Sequence, residues 1–271
     1  MTSRLVNLQP SRGGALALGA LPFLILIAAY LFGSAARLAD NPDDKLLPAP
    51  SALVATLQSY AVEEDRRSGE VLWWLDTGAS VRRLSIALAI SASIGIVGGL
   101  AIGALPVVRS LLGPFVAALA MIPPLAILPI LFILLGLGEV AKIALIVFGV
   151  APCIVRDVSL RAAELPKEQL IKAQTLGASS WLLATRVILP QLWPRLIDAL
   201  RLTLGSAWLF LIAAEAIAST EGLGYRIFLV RRYLAMDVIL PYVIWITLLA
   251  YTMDWSLRKL RARLFPWAQS T

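Results

Sequence analysis

Apolar residues in this chain fall in long unbroken runs, not in strict alternation. The runs cover residues 15–36, 80–105, 111–137, 140–155, 196–220 and 238–257, with polar or charged stretches between them. A helix needs about 20 apolar residues to cross the hydrocarbon core of a bilayer. The pattern therefore predicts an all-α, polytopic membrane protein with about six transmembrane helices. The first run has a positive flank and ends in Gly33, Ser34, Ala35 and Ala36, a pattern shared with cleaved signal peptides. Its length and the five runs that follow favour a retained helix.

The interruptions carry information. Residues 37–78 hold Asp40, Asp43, Asp44, Glu63, Glu64, Asp65, Glu70 and Asp76, together with Pro42, Pro48 and Pro50. Within this solvent-facing stretch, 51–60 reads as a short amphipathic helix capped by Ser51. The second run spaces Gly95, Gly99 and Gly103 four apart, which puts them on one face where another helix can approach closely. That face serves either packing within the chain or a dimer seam. Residues 106–110 read as a turn. The third run is broken by Pro114, Pro123, Pro124 and Pro129. Each proline frees a carbonyl, and in lipid such carbonyls must be buried in protein or line a cavity. Residues 121–128, with Met121, Pro123 and Pro124, are thus a candidate part of a permeation path; an ordinary kinked helix is the competing reading. Residues 136–139 form a turn.

Composition agrees with the runs. Of 271 residues, 59% are hydrophobic and 15% charged, too little charge to cover a soluble surface. The chain has no His and a single Cys, Cys153. That excludes Ser-His-Asp and Cys-His catalysis, His metal ligation and an intrachain disulfide. No phosphate-binding G-x-x-x-x-G-K-[ST] loop is present, since 136–142 has the wrong spacing. The net charge of +7 reports cytoplasmic Lys and Arg better than nucleic-acid binding. With six spans and both termini cytoplasmic, the inner segments hold 14 of the 24 basic residues, although Arg66, Arg67, Arg231 and Arg232 fall outside.

Much of the inner charge crowds one loop, residues 157–195. It reads helix over 168–176, a break at Gly177, a second helix capped by Ser179 or Ser180, and a stop at Pro190. An amphipathic helix pair shown between two spans has the form of a docking element for a soluble partner. This loop resembles the EAA motif, E-A-A-x3-G-x9-I-x-L-P, of bacterial ATP-binding-cassette (ABC) importer permeases. Ala173, Gly177, Val187, Leu189 and Pro190 match, while Ile171 and Lys172 stand where Glu and Ala are usual. Further stretches are similar to the nitrate/sulfonate/taurine permease group. They are Leu47-Pro48-Ala49-Pro50-Ser51, Ile122-Pro123-Pro124-Leu125-Ala126-Ile127-Leu128-Pro129-Ile130, Gly136-Leu137-Gly138-Glu139, Trp208 with Glu215, and Glu221-Gly222-Leu223-Gly224.

The resemblance implies a type I (MetI-like) importer permease fold. Residues 1–78 would supply a cytoplasmic tail, the first span and an outer segment; 79–257 the permease core; 258–271 a basic cytoplasmic tail. The chain would sit in a bacterial inner membrane, in contact with lipid, as half of a pathway built with a second permease subunit, a homodimer in the simplest case. Separate ABC ATPase subunits would dock on Ala173, Gly177, Ala178, Ser179, Val187, Leu189 and Pro190. An extracytoplasmic binding protein would deliver a small anion such as a sulfonate or nitrate. The chain would carry no cofactor and no catalysis, with ATP and Mg on the partner. Within the membrane, Asp198 and Arg201 share a helix face and pair. Glu215 lies deeper, either beside the pathway or holding an outer gate. The rival reading is a secondary transporter or channel without an ATPase.

Overall fold

The computed structural model describes residues 10–42, 44–65 and 69–269. Asp43, Arg66 and Arg67, used in the charge pattern above, lie outside them, as does Arg4, one of the 14 inner basic residues. Every regular element among the described residues is a helix.

Helix α1, Arg12–Asp40, starts at Ser11, whose hydroxyl accepts the Gly14 N–H at 3.2 Å. Its first two-thirds expose an unbroken apolar surface. Its last turns are anchored to the Leu47-Pro48 stretch. Tyr30 donates to the Pro48 carbonyl at 2.6 Å, Ser34 donates to the Leu47 and Pro48 carbonyls at 3.0 and 3.1 Å, and Arg37 pairs with Asp44. That pairing, with a bond from the Leu46 N–H, holds the Asp44 carboxyl below its usual range. Helix α2, Pro50–Val62, follows. Pro50 occupies its first position, where a missing N–H costs nothing and φ is preset, so Ala49 stands at the cap and Ser51 lies inside the helix.

Helix α3 is Leu72–Ala104 and α4 is Pro106–Leu119. The turn expected at 106–110 is instead the first turn of α4, again started by a proline. Arg109 closes the junction, donating to the carbonyls of Ile102 at 3.1 Å and Gly103 at 2.5 Å, which α3 leaves without intrahelical partners. Helix α5, Pro124–Leu135, leaves α4 at 95°. The third expected span is thus two short helices. The paired prolines 123 and 124 have no N–H to continue α4. Among the described residues, five continuous helical stretches are long and apolar enough to cross a membrane, one of them running from Ser180 to Ala218, and this bent pair is the sixth candidate.

Helix α6, Glu139–Ala163, α7, Lys167–Thr175, and the short α8, Ser180–Leu182, come next. A π-helical turn, Leu183–Ile188, joins α8 directly to α9, Leu189–Ala218. Pro190 was expected to stop a helix. Here the chain stays helical through it, because the wider turn lets the Leu189 N–H reach back to the Ala184 carbonyl. Helices α10, Leu223–Arg231, and α11, Met236–Leu264, and a 3₁₀ turn, Pro266–Gln269, complete the chain.

Helices α3, α6 and α9 form the core, around buried Leu84, Ala87, Leu145, Val150, Ile154, Val158, Leu192, Ala207 and Leu211. Helices α3 and α6 run parallel. A Cβ on Gly95, Gly99 or Gly103 would overlap Ile154, Val158 or Ala162 respectively. The glycine series is therefore a packing seam within the chain, where absent side chains let two backbones meet.

Candidate functional site

Two regions at opposite ends of the bundle combine unusual geometry with polar chemistry. The first is the segment from α7 to the start of α9. Helix α7 ends at Thr175 with Leu176 as its cap, and Gly177 follows with φ 86°. A Cβ there would meet nothing within 4 Å, so the demand for glycine is conformational. The N–H groups of Gly177 and Ala178 bond back to the carbonyls of Gln174 and Ala173, at 2.9 and 3.0 Å. Ser179 then caps α8, its hydroxyl accepting the Leu182 N–H at 3.3 Å. Around this break, Leu176 is 81% exposed and Trp181 78%, with Ile171 and Leu182 also exposed. Lys167, Lys172 and Arg186 are exposed in the same segment, against exposed Glu168. Ala173, Ala178, Val187 and Leu189 are half-buried, and Gly177, Ser179 and Pro190 exposed. The matched positions therefore mostly shape the segment, and their exposed neighbours form its apolar face. Ile188, Leu192 and Leu196 root it in the core.

Two long helices brace the same end. Arg201 of α9 meets Asp254 of α11 at 2.8 Å and Asp198 at 3.4 Å, and Arg261 meets Asp198 at 3.2 Å. The expected Asp198–Arg201 pair is part of this four-residue bridge between α9 and α11.

The second region lies at the far end, and Glu215 is its centre. The Glu215 carboxylate is fully buried. It accepts from Arg83 Nη1 at 2.7 Å, from Ser80 Oγ at 2.8 Å and from the Gly224 N–H at 2.9 Å. Arg83, itself 1% exposed, also grips Glu139 at 2.6 and 2.8 Å and reaches the Glu221 side chain at 3.3 Å and its carbonyl at 3.0 Å. Lys142 adds a second cation, bonding Glu139 at 2.9 Å and Ser219 at 3.0 Å. Beside this cluster, Asp76 accepts from the Gly222 N–H at 2.8 Å, Arg226 at 2.8 Å and Tyr242 at 3.1 Å. Trp73 meets the Tyr242 ring edge-on and the Trp245 ring at a tilt, and the Trp245 indole N–H donates to Thr77 at 2.9 Å.

Local sequence explains the arrangement. Asp76, Ser80 and Arg83 are spaced four and three apart, so one face of α3 presents all three. Glu139 begins α6, and Glu215 sits one turn from the end of α9. Gly222 turns the chain back at φ 125°, and a Cβ there would lie 2.5 Å from the Glu215 carboxylate carbon. Only glycine brings this backbone onto a buried carboxylate. Isolated charges in a membrane helix are costly, at least about 2.5–3.5 kcal/mol each at the bilayer centre. Here each buried charge has an opposite charge and hydrogen bonds, which fastens α3, α6, α9 and α10 together. Glu215 thus makes a holding contact between helices.

Met121 and Pro123 lie exposed at the α4–α5 bend, 74% for Met121, and Pro124 packs near Gly149 of α6. They are not brought to Glu215. Ser80, Arg83, Lys142 and Arg226 carried no role in the sequence pattern, and Asp76, expected in a solvent-facing stretch, is instead fully buried within α3. The available signal was an ionisable pair, Arg82-Arg83, just inside an apolar run. Among the described residues, no group of three or more His, Cys, Asp or Glu could hold a metal ion.

Residues 86–266 match the family described as binding-protein-dependent transport system inner membrane component. The chain is 34% identical to the taurine transport system permease protein TauC of Escherichia coli (strain K12), over 82% of this chain and 80% of that one. It is 27% identical to the putative aliphatic sulfonates transport permease protein SsuC of Bacillus subtilis (strain 168), over 83% and 79%. Its fold is similar to a chain of the inward-facing MetNI methionine ABC transporter, with a TM-score of 0.60 and 21% identity, covering 72% of this chain and 98% of that one.

Proposed function

The chain belongs to the binding-protein-dependent transport system inner membrane components and is a multi-pass permease subunit of an ABC importer; from that premise we propose its cargo, its sidedness and the roles of its two ends. ATP hydrolysis belongs to a separate subunit of such importers, so the lone-transporter reading is set aside.

The cargo is a small anion of the sulfonate or nitrate kind, received from an extracytoplasmic binding protein. The printed names of TauC and SsuC support this class. Both termini and the α7–α9 segment face the cytoplasm, in keeping with the basic residues gathered there and in the tail at 258–271. ATPase subunits dock on the segment that contains Ala173, Gly177, Ala178, Ser179, Val187, Leu189 and Pro190. One observation carries this assignment: the break at Gly177, φ 86°, turns exposed Leu176 and Trp181 out on a basic surface. With Ile171 in place of the usual Glu, docking relies on apolar contact and surrounding cations. A second copy of this chain completes the pathway, with Met121, Pro123 and Pro124 at the bend as wall residues. Glu215 and its partners hold the outer end of each half.

Proteoliposomes with the permease, its ATPase and its binding protein test the reading. We expect ATP-dependent uptake of a sulfonate or nitrate. Uptake restricted to cations or neutral solutes would overturn the cargo, and uptake without the ATPase would overturn the coupling.

A further inference from the structure

Helix α10 and the cap residue that follows it carry three arginines with two different fates. Arg226 is ion-paired with Asp76, as Arg83 is with its glutamates. Arg231 and Arg232 are exposed and form no ion pair among the described residues. With Ala216, Tyr225, Phe228 and Leu229 they line a cavity of about 290 Å³ that has no carboxylate in its wall. Arg231 lies over the Phe228 ring, its guanidinium carbon 4.8 Å from the centroid.

We propose that this cavity binds a small oxyanion group, a sulfonate, carboxylate or phosphate. Two neighbouring guanidinium groups repel each other, and an anion between them relieves that repulsion. Their forked N–H groups suit a planar or tetrahedral oxyanion, and stacking on Phe228 holds one fork in place. The volume sits at the lower edge of the roughly 300–1,000 Å³ range of ligand pockets, which favours a ligand of a few heavy atoms. A cation in the last turn of α10 also complements the helix dipole, but that effect requires neither the second arginine nor a cavity. Ala216 adjoins Glu215, so an occupied cavity touches both α9 and α10 where Glu215 ties them together.

The same group has two sources: the acid end of the cargo, which rests on the cargo reading above, and a lipid phosphate. The test uses the assembled transporter in nanodiscs of neutral phosphatidylcholine and follows phenylglyoxal modification of each arginine by mass spectrometry. Millimolar methanesulfonate should slow modification of Arg231 and Arg232 several-fold relative to chloride at equal ionic strength, with Arg186 unchanged. A slowing that instead needs phosphatidylglycerol in the nanodisc supports the oxyanion site with lipid as its source. No slowing in either arm, or equal slowing at Arg186, overturns the proposal. Where methanesulfonate alone protects, Arg231→Gln with Arg232→Gln should raise the KM for uptake while leaving thermal stability intact. The labelling result is independent of transport, so a neutral cargo would defeat the cargo reading without deciding this one.

Discussion

Replacing Arg83 with Met tests the buried cluster most directly. The change leaves Glu215 with the Ser80 hydroxyl and the Gly224 N–H but no cation, in a site with no solvent access. Glu139 keeps Lys142 at 2.9 Å and is partly exposed, so the burden falls on Glu215. Removing one member of a buried ion pair costs about 3–5 kcal/mol. For a chain of this size, about 2–4 °C of Tm is lost per kcal/mol, so a fall on the order of 10 °C is expected in thermal unfolding of the purified transporter. The sign of the second substitution is the sharper readout. In the parent, Glu215→Gln should destabilise, because it weakens the contact to Arg83. In the Arg83→Met background it should stabilise, because it removes the stranded charge while the side-chain oxygen still accepts from Gly224. A double-mutant cycle measures this coupling. If Glu215→Gln lowers Tm equally in both backgrounds, the two groups are not energetically paired and the argument fails.

Three further outcomes follow from the geometry. Gly99→Ala should lose about 1–3 kcal/mol by overpacking, and Val158→Ala should not rescue it, because the added carbon would still meet the Val158 Cβ at 2.5 Å; Gly103→Ala should lose a similar amount against the Ala162 Cβ at 2.3 Å and the Ser159 carbonyl oxygen at 3.0 Å; thermal unfolding compares the three. Gly177→Val should cost about 1–2 kcal/mol from its positive φ and weaken co-purification of the ATPase, and retained assembly with normal transport would sink the docking assignment. Trp181→Ala should leave Tm unchanged, since the ring is 78% exposed, and reduce ATPase co-purification; loss of Tm would mean the ring serves the fold.

The helical architecture was legible in the sequence because long apolar runs have few alternative solutions in a membrane. The glycine series identified a close contact but not its partner. That required knowing that α6 runs parallel to α3 with Ile154, Val158 and Ala162 in register. Proline misled twice, at 106–110 and at 190, because a proline at a helix start or beside a π-turn is tolerated where one in a regular interior is not. Glu215 stood out as a charge in an apolar run, and Glu221-Gly222-Leu223-Gly224 as a stretch similar to the permease group. Their meeting with Asp76, Ser80 and Arg83 spans more than 130 residues, and pairing at that separation leaves no local pattern.

The glycine seam also has a mechanical meaning. Helix α6 has 25 residues, a rod about 37 Å long at 1.5 Å per residue. Laminated to α3 along its length, it resists bending far better than a single helix would. One end of this double beam carries Glu139 and Arg83, and the other leads into α7 within a few residues. Force delivered to α7 would then reach the far end as rigid tilt instead of being absorbed as flexure on the way.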